Sequence, residues 1–285
     1  MNLRAAIRRH PVTAYFGIAY LVPIIAFLAI VGPKLVHGKP MQATDALMMF
    51  PIMEVGVFVG GIGLTGVVAG RAGVQDLFSR VGRWRVNPFW YPVVFIPPVL
   101  ILAVLWSFSA LLSPVYAPKV FSLGIVFGLI AGLFEEVGWM GYAYPRLRAN
   151  WPGSALATGT VLGLLWGFWH VLVVDDLGAA GPHGVSWLPF FLAFVAVMAA
   201  VRVLIVWVYA NTESVLLAQI IHASSTGFLV VLSPVQVTPG QEALWYAGYA
   251  AALWIVVAIV VARFGRTLVR QPRPGTVEQP GTSAA

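Results

Sequence analysis

Cysteine is absent from the 285 residues, and charged residues make up only 9% of them. Without cysteine the chain has no disulfide, no thiol nucleophile and no thiolate metal ligand. A soluble domain carries about 25% charged residues, so a chain with so few cannot cover a surface that faces water. The composition therefore excludes an ordinary soluble protein.

Long apolar runs take up most of the chain, and 60% of its residues are hydrophobic. A helix needs about 20 apolar residues to cross a bilayer. Eight runs approach or exceed that length, at about 13–32, 43–69, 89–112, 120–140, 153–174, 187–208, 213–232 and 243–263. They predict an all-α, polytopic transmembrane bundle of about eight helices, multi-pass in the plasma membrane and in contact with membrane lipids.

The net charge of +7 is distributed unevenly between the two predicted sides of the membrane. Threading eight spans places thirteen arginines on one side and only Lys34, Lys39 and Lys119 on the other. Cytoplasmic loops carry the excess of basic residues, so both termini are predicted to be cytoplasmic. The basicity is thus explained by topology, and no nucleic-acid partner is expected.

Six ionisable residues fall inside the apolar runs, and such residues are costly enough in a bilayer to indicate function. They are Glu54, Glu135, Glu136, His170, Arg202 and His222. Arg202 lies near the inner end of its run, so it is expected to extend toward that interface. Glu54 is interpreted either as a residue that supports the site residues or as one that forms a hydrogen bond between packed helices.

The other four residues lie on three predicted helices and contain the parts of a water-activating site. A carboxylate in apolar surroundings can act as a general base, and an imidazole can hold the water or donate to an oxyanion. Adjacent glutamates point about 100° apart on a helix, so only one can face the centre. The same residues can also bind a metal ion, so zinc and a metal-free site both stay open. Asp175, Asp176 and His183 lie in a predicted outer loop. They are interpreted as polar because the loop is exposed to water, with metal binding as the alternative.

Three short motifs carry a resemblance to a known family. "EEVGWMGYAYPRL" from Glu135, "WGFWH" from Trp166 and "HASST" from His222 follow one another on three predicted helices. In that order they resemble the CPBP family, the type II CAAX prenyl endopeptidases and bacteriocin-processing (Abi) proteins, also called intramembrane glutamate proteases. The resemblance covers about 117–232 well and 71–92 loosely.

The resemblance implies an intramembrane endopeptidase acting on a peptide or membrane-protein substrate. Glu135 would be the general base, His170 would hold and polarise the water, and His222 would stabilise the oxyanion. Glu136, Trp166 and Thr226 would support them. Members are described both as metallopeptidases and as metal-free proteases, so zinc at Glu135, His170 and His222 stays open.

The same resemblance divides the chain into segments. Residues 1–116 would hold the first three helices, with an amphipathic interfacial segment near 71–88 that places Leu77, Val81 and Trp84 on one face. Residues 117–232 would form the catalytic core and 233–263 the last helix. The proline- and glycine-rich residues 264–285 are predicted to be a disordered cytoplasmic tail.

Two positions depart from the family pattern. Met140 stands where the family has arginine, and Thr226 stands where it has asparagine. Without that arginine, Glu136 is expected to be neutral and hydrogen-bonded to a neighbouring group, whereas the Thr226 hydroxyl still supplies a donor. The alternatives are a catalytically degenerate membrane scaffold or immunity protein of the same fold, and a proton-coupled transporter.

The arginine asymmetry makes the topology testable in a chain without native cysteine. Gln75→Cys and Glu278→Cys should each stay unlabelled by a membrane-impermeant maleimide in intact cells and become labelled after permeabilisation. Labelling of either position from outside intact cells would contradict the predicted orientation.

Overall fold

The structure is a computed structural model that describes residues 2–269. Within that range the chain is mainly helical and contains no strand. Its α-helices are α1 (Leu3–Arg9), α2 (Pro11–Ile30), α3 (Gly32–Val36), α4 (Ala43–Val81), α5 (Ile96–Leu111), α6 (Gly124–Gly138), α7 (Tyr144–Asn150), α8 (Ala155–Trp169), α9 (Val174–Leu177), α10 (Trp187–Thr212), α11 (Val215–Val231) and α12 (Pro239–Phe264). Residues 270–285, most of the predicted tail, lie outside the described residues.

Seven helical segments of the described chain are long and apolar enough to cross a membrane. They are Pro11–Ile30, Ala43–Val81, Pro88–Leu111, Gly124–Asn150, Ala155–Leu172, Gly184–Thr212 and Pro239–Phe264. The remaining predicted run forms α11, which is apolar but only 17 residues long. The predicted polytopic, multi-pass all-α bundle is confirmed, while the side on which the termini lie stays a prediction.

Helix α10 occupies the centre of the bundle. Of the 18 most apolar consecutive residues of this segment, 89% are buried inside the protein, compared with 22% for the corresponding stretch of α2. It packs against α8, α11 and α12. Because protein surrounds α10, any polar side chain on it must find its partner inside the bundle.

The outer helices present apolar side chains at helical spacing. Leu21, Ile25 and Leu28 are exposed on α2, and Ile255 and Ile259 are exposed on α12. Residues three or four positions apart share one face of a helix. These faces are the ones that contact lipid in a membrane.

A stripe of glycines brings α6 into backbone contact with α11. A side-chain carbon added at Gly128 would lie 2.3 Å from the carbonyl oxygen of Ala223, and one at Gly132 would lie 2.4 Å from that of Gln219. Small residues permit this kind of close approach between membrane helices. The contact places the glutamates at the end of α6 beside His222 on α11.

Helix α4 changes direction at Gly70, whose φ of 67° and ψ of −160° break the helix. Glycine adopts a positive φ without steric cost. The helix resumes after Gly70 and ends at Val81, so Trp84 lies beyond it and does not continue the helical face that carries Leu77. Leu77 is buried, whereas Trp84 is 59% exposed. The predicted shared face is therefore wrong for Trp84, and the interfacial position of residues 71–88 stays a prediction.

The loop before α10 is fastened to the first turn of α12. The backbone N–H groups of Ala179 and Ala180 donate to the buried Glu242 carboxylate at 2.8 and 2.7 Å. His183 bridges Glu242 at 3.0 Å and Asp175 at 2.7 Å, and its ring stacks on Phe190. Asp175 and His183, which the sequence placed in a wet loop, thus take part in a buried hydrogen-bonded cluster.

Burial lowers the pKa of His183, but hydrogen bonds to Glu242 and Asp175 outweigh it and raise the pKa above its usual range. A histidine whose pKa is raised in the folded state stabilises the protein. This contribution is fully present when the pH is below the unfolded-state pKa of about 6.5. That contribution is lost as the pH rises through the folded-state pKa.

The pH dependence of thermal unfolding tests this loop. The wild-type melting temperature should fall as the pH rises from about 6.5 through the raised pKa, because His183 loses its charge. His183→Gln should remove that part of the fall, whereas the exposed His37→Gln should keep it. Identical pH profiles for wild type and His183→Gln, measured in detergent, would contradict the assignment.

Candidate active site

Glu135 lies one residue position before Glu136 on α6, and indole groups hold one of its oxygens. Its Oε2 accepts hydrogen bonds from Nε1 of Trp139 at 2.8 Å and from Nε1 of Trp166 at 2.7 Å. Its Oε1 faces Nε2 of His222 at 3.8 Å. All four side chains are buried. The two indoles orient the carboxylate and leave Oε1 as the oxygen that is free to act.

Glu136 points to the other side of α6 and pairs with an arginine. Nη1 of Arg202 lies 2.8 Å from Oε1 and 2.6 Å from Oε2 of Glu136. The guanidinium also lies over the Trp166 ring, 4.3 Å from its centroid. Because arginine stays charged in proteins, Glu136 is an ionised carboxylate here.

Two expectations about these residues are therefore wrong. Arg202 does not extend toward the membrane interface: it is fully buried, because α10 is central and Glu136 supplies its counter-charge. Glu136 is not neutral, because the positive charge that Met140 cannot provide comes from α10 instead. The available signal was the need of an intramembrane arginine for an anionic partner.

His222 joins the two glutamates. Its Nδ1 lies 2.7 Å from Oε1 of Glu136, and a carboxylate can only accept, so Nδ1 is assigned as the donor. Its Nε2 has no hydrogen-bond partner among residues 2–269 and faces Glu135. The ring meets Trp166 edge-on, with centroids 4.7 Å apart. Glu136 thus fixes the orientation of the imidazole and leaves Nε2 available.

His170 lies at the end of α8 and is half-buried. Its Nδ1 is 2.9 Å from the backbone oxygen of Trp166. A carbonyl oxygen only accepts, so Nδ1 carries a proton and Nε2 is the free nitrogen. The structure shows no direct hydrogen bond from His170 to Glu135.

A cavity of about 130 Å³ adjoins Glu135. Glu135, His170 and Thr226 line it together with Glu54 from α4. The rest of the lining is mainly apolar and includes Phe50, Met53, Phe190, Phe194, Met198 and Tyr246. A water molecule needs about 10–15 Å³ of such space, so the cavity has room for water beside Glu135.

The structure thus brings Glu135, Glu136, Trp166 and His222 into direct contact and places His170 and Thr226 on the wall of the same cavity. Thr226 lies one helical turn after His222, as the sequence predicted. Trp139 was missed, although its position four residues after Glu135 places it on the same helical face.

No group of three His, Asp or Glu side chains among residues 2–269 is placed to hold one ion in this arrangement. The Oε2 atom of Glu135 accepts from two indole donors, and Nδ1 of His222 contacts Glu136. Zinc at Glu135, His170 and His222 stays an open alternative to a metal-free site.

The buried Glu136–Arg202 pair can be tested by a double-mutant cycle. Glu136→Gln and Arg202→Met each leave one uncompensated group, and breaking a buried pair costs about 3–5 kcal/mol. The double variant removes both charges and should be less destabilised than the sum of the two single variants. Thermal unfolding in detergent provides the measurement, and strict additivity would show that the two groups do not interact.

Comparison with known proteins shows which sequences the chain resembles. Residues 117–228 match the family described as type II CAAX prenyl endopeptidase, Rce1-like. CAAX prenyl protease 2 of Methanococcus maripaludis is 30% identical over 165 aligned positions, and the match covers 52% of this chain and 59% of that relative. The chain thus matches less than two thirds of the relative's length. All six site residues predicted from the sequence lie in the segment that resembles the type II CAAX prenyl endopeptidase family.

Proposed function

We propose that the protein is an intramembrane endopeptidase that hydrolyses a peptide bond with a water molecule activated by Glu135. The observation that carries this proposal is the pair of free atoms, Oε1 of Glu135 and Nε2 of His222, which lie 3.8 Å apart. That distance is too long for a direct hydrogen bond and short enough for one water to contact both atoms.

The charges around the site suit this chemistry. Arg202 and Glu136 neutralise each other, and Glu136 also binds Nδ1 of His222. An imidazolium at His222 would balance the carboxylate of Glu135, which gives a cluster of no net charge in a low-dielectric interior. In that state Nε2 of His222 carries a proton that points toward the reacting water.

Hydrolysis follows from these positions. Glu135 takes a proton from the water while the oxygen attacks the carbonyl carbon of the substrate. The oxyanion that forms accepts hydrogen bonds from the N–H group of His222 and from the hydroxyl of Thr226. The carbon–nitrogen bond then breaks, and the leaving amine needs a proton at its nitrogen.

His170 has a supporting role in the proposal. Its free Nε2 is an acceptor, and the residue lines the cavity that adjoins Glu135. A water held between this nitrogen and Glu135 would present its oxygen lone pair to the substrate carbonyl. The indole groups of Trp139 and Trp166 hold the carboxylate in place during the proton transfer.

The proposed substrate class rests on the name of the relative and on the exposed helix faces. The relative is named a CAAX prenyl protease, so a prenylated peptide with a C-terminal CAAX sequence is the first substrate to test. The exposed apolar helix faces would leave the lipid chain of such a peptide in the bilayer. A membrane-protein segment and a bacteriocin leader are the other candidate substrates.

The central prediction concerns Glu135→Gln. Glutamine keeps the shape and still accepts from the indoles, but it cannot take a proton from water. Loss of a general base lowers rates by about 10²–10⁴-fold, so cleavage should fall by at least about 100-fold. Cleavage of a farnesylated CAAX peptide by the purified protein in lipid nanodiscs, followed by mass spectrometry, provides the measurement.

Glu213→Gln is the matched control, because Glu213 is exposed and pairs only with Arg83 at the surface. It should retain wild-type cleavage. Retention of activity by Glu135→Gln would remove the proposed base. A folded wild-type protein that cleaves no prenylated, unmodified or transmembrane peptide would favour the membrane scaffold, and proton-coupled uptake by such a protein would favour the transporter.

A further inference from the structure

The mechanism leaves one carboxyl group of the cavity unused. Glu54 lies in the apolar first half of α4 and is only 3% exposed. Neither of its oxygens receives a hydrogen bond from a donor group in residues 2–269. An ionised carboxylate in apolar surroundings is costly unless a cation or several donors stabilise it. Glu54 has neither.

Glu54 shares its cavity with another carboxyl group. The side chains of Glu54 and Glu135 line the same mainly apolar cavity. Two carboxyl groups close together in apolar surroundings cannot easily both ionise. One of the two therefore holds a proton.

The surroundings of the two groups decide which one holds the proton. Glu135 accepts from two indole N–H groups and faces Nε2 of His222, and all of these contacts favour its ionised form. Arg202 is committed to Glu136. Glu54 has no comparable donor within the described chain, so the proton belongs on Glu54.

From this arrangement we infer that Glu54 is the general acid of the reaction, the group that protonates the leaving amine. The inference rests on the proposed function and deepens it. A carboxylate and a carboxylic acid in one site, with one serving as base and the other as acid, is the arrangement that aspartic proteases use for peptide hydrolysis. Here the two groups come from α6 and α4.

The protons balance in this scheme. Glu135 removes one proton from the water, and the hydroxide oxygen forms the new bond to the carbonyl carbon. Glu54 gives its proton to the amide nitrogen as the carbon–nitrogen bond breaks. The proton on Glu135 then passes to Glu54 through water in the shared cavity, which restores the starting state after release of one acid and one amine.

Leaving-group dependence separates this role from a structural one. Glu54→Gln keeps the size of the side chain and still carries an N–H donor, but it cannot deliver a proton. An amide needs protonation of its nitrogen to leave, whereas an alkoxide leaves from an ester with much less assistance. The test therefore uses two prenylated peptides that differ only in an amide or an ester at the scissile bond.

Glu54→Gln should cleave the amide at least about 100-fold more slowly than the wild type, the usual size of an acid-catalysis effect, and the ester at close to the wild-type rate. Glu135→Gln should lose both reactions, and Glu213→Gln should lose neither. Cleavage of the ester by Glu54→Gln also shows that the variant is folded with its site intact.

Two results would overturn the inference while the proposed function stands. Equal losses on the amide and the ester would make Glu54 structural, and full activity on the amide would make it irrelevant to the reaction. If the wild type cleaves neither peptide, the proposed hydrolysis itself fails and the acid role fails with it. The infrared band of a protonated carboxylic acid, present in the wild type and absent from Glu54→Gln, provides a readout independent of turnover.

Discussion

The buried ion pair between Glu136 and Arg202 is the interaction on which the site depends. Taking two charges out of water is costly, and the cost is recovered only when the geometry is close and the remaining groups find partners. Arg202 meets both oxygens of Glu136, and Trp166 covers the guanidinium. The pair therefore requires α6, α8 and α10 to hold their relative positions.

Helix packing supplies those positions. The glycine stripe of α6 allows its backbone to touch α11, and this contact brings His222 within hydrogen-bonding distance of Glu136. The central place of α10 brings Arg202 to the opposite side of the same carboxylate. A single carboxylate thus joins α6, α10 and α11 through its two partners.

Three carboxyl groups share this small region, and their surroundings distinguish them. Glu136 is paired with a guanidinium, Glu135 is held by indole N–H groups, and Glu54 has no hydrogen-bond donor within the described residues. Chemically identical side chains can therefore take different parts in one reaction, as ion-pair partner, base and acid. The missing motif arginine fits the same principle, because Glu136 needs a nearby positive charge and not a particular position along α6.

The sequence by itself determined the membrane bundle, since eight apolar runs and few charges leave no other fold for the chain. It also predicted which residues gather in one region. The glutamate pair, His170 and His222 are ionisable groups, and such groups are costly in a bilayer unless they lie together in the interior of the bundle. Trp139 was within reach of the same reasoning, through its spacing from Glu135 on one helix.

Only the tertiary structure decided the partners across helices. Met140 led the sequence analysis to a neutral Glu136, because helical spacing reports neighbours on the same helix and says nothing about α10. The role of Glu54 was open for the same reason, since α4 and α6 are far apart in the chain. Which side chains face each other depends on helix rotation and on close contacts such as Gly128 against Gly227, and these are properties of packing rather than of periodicity.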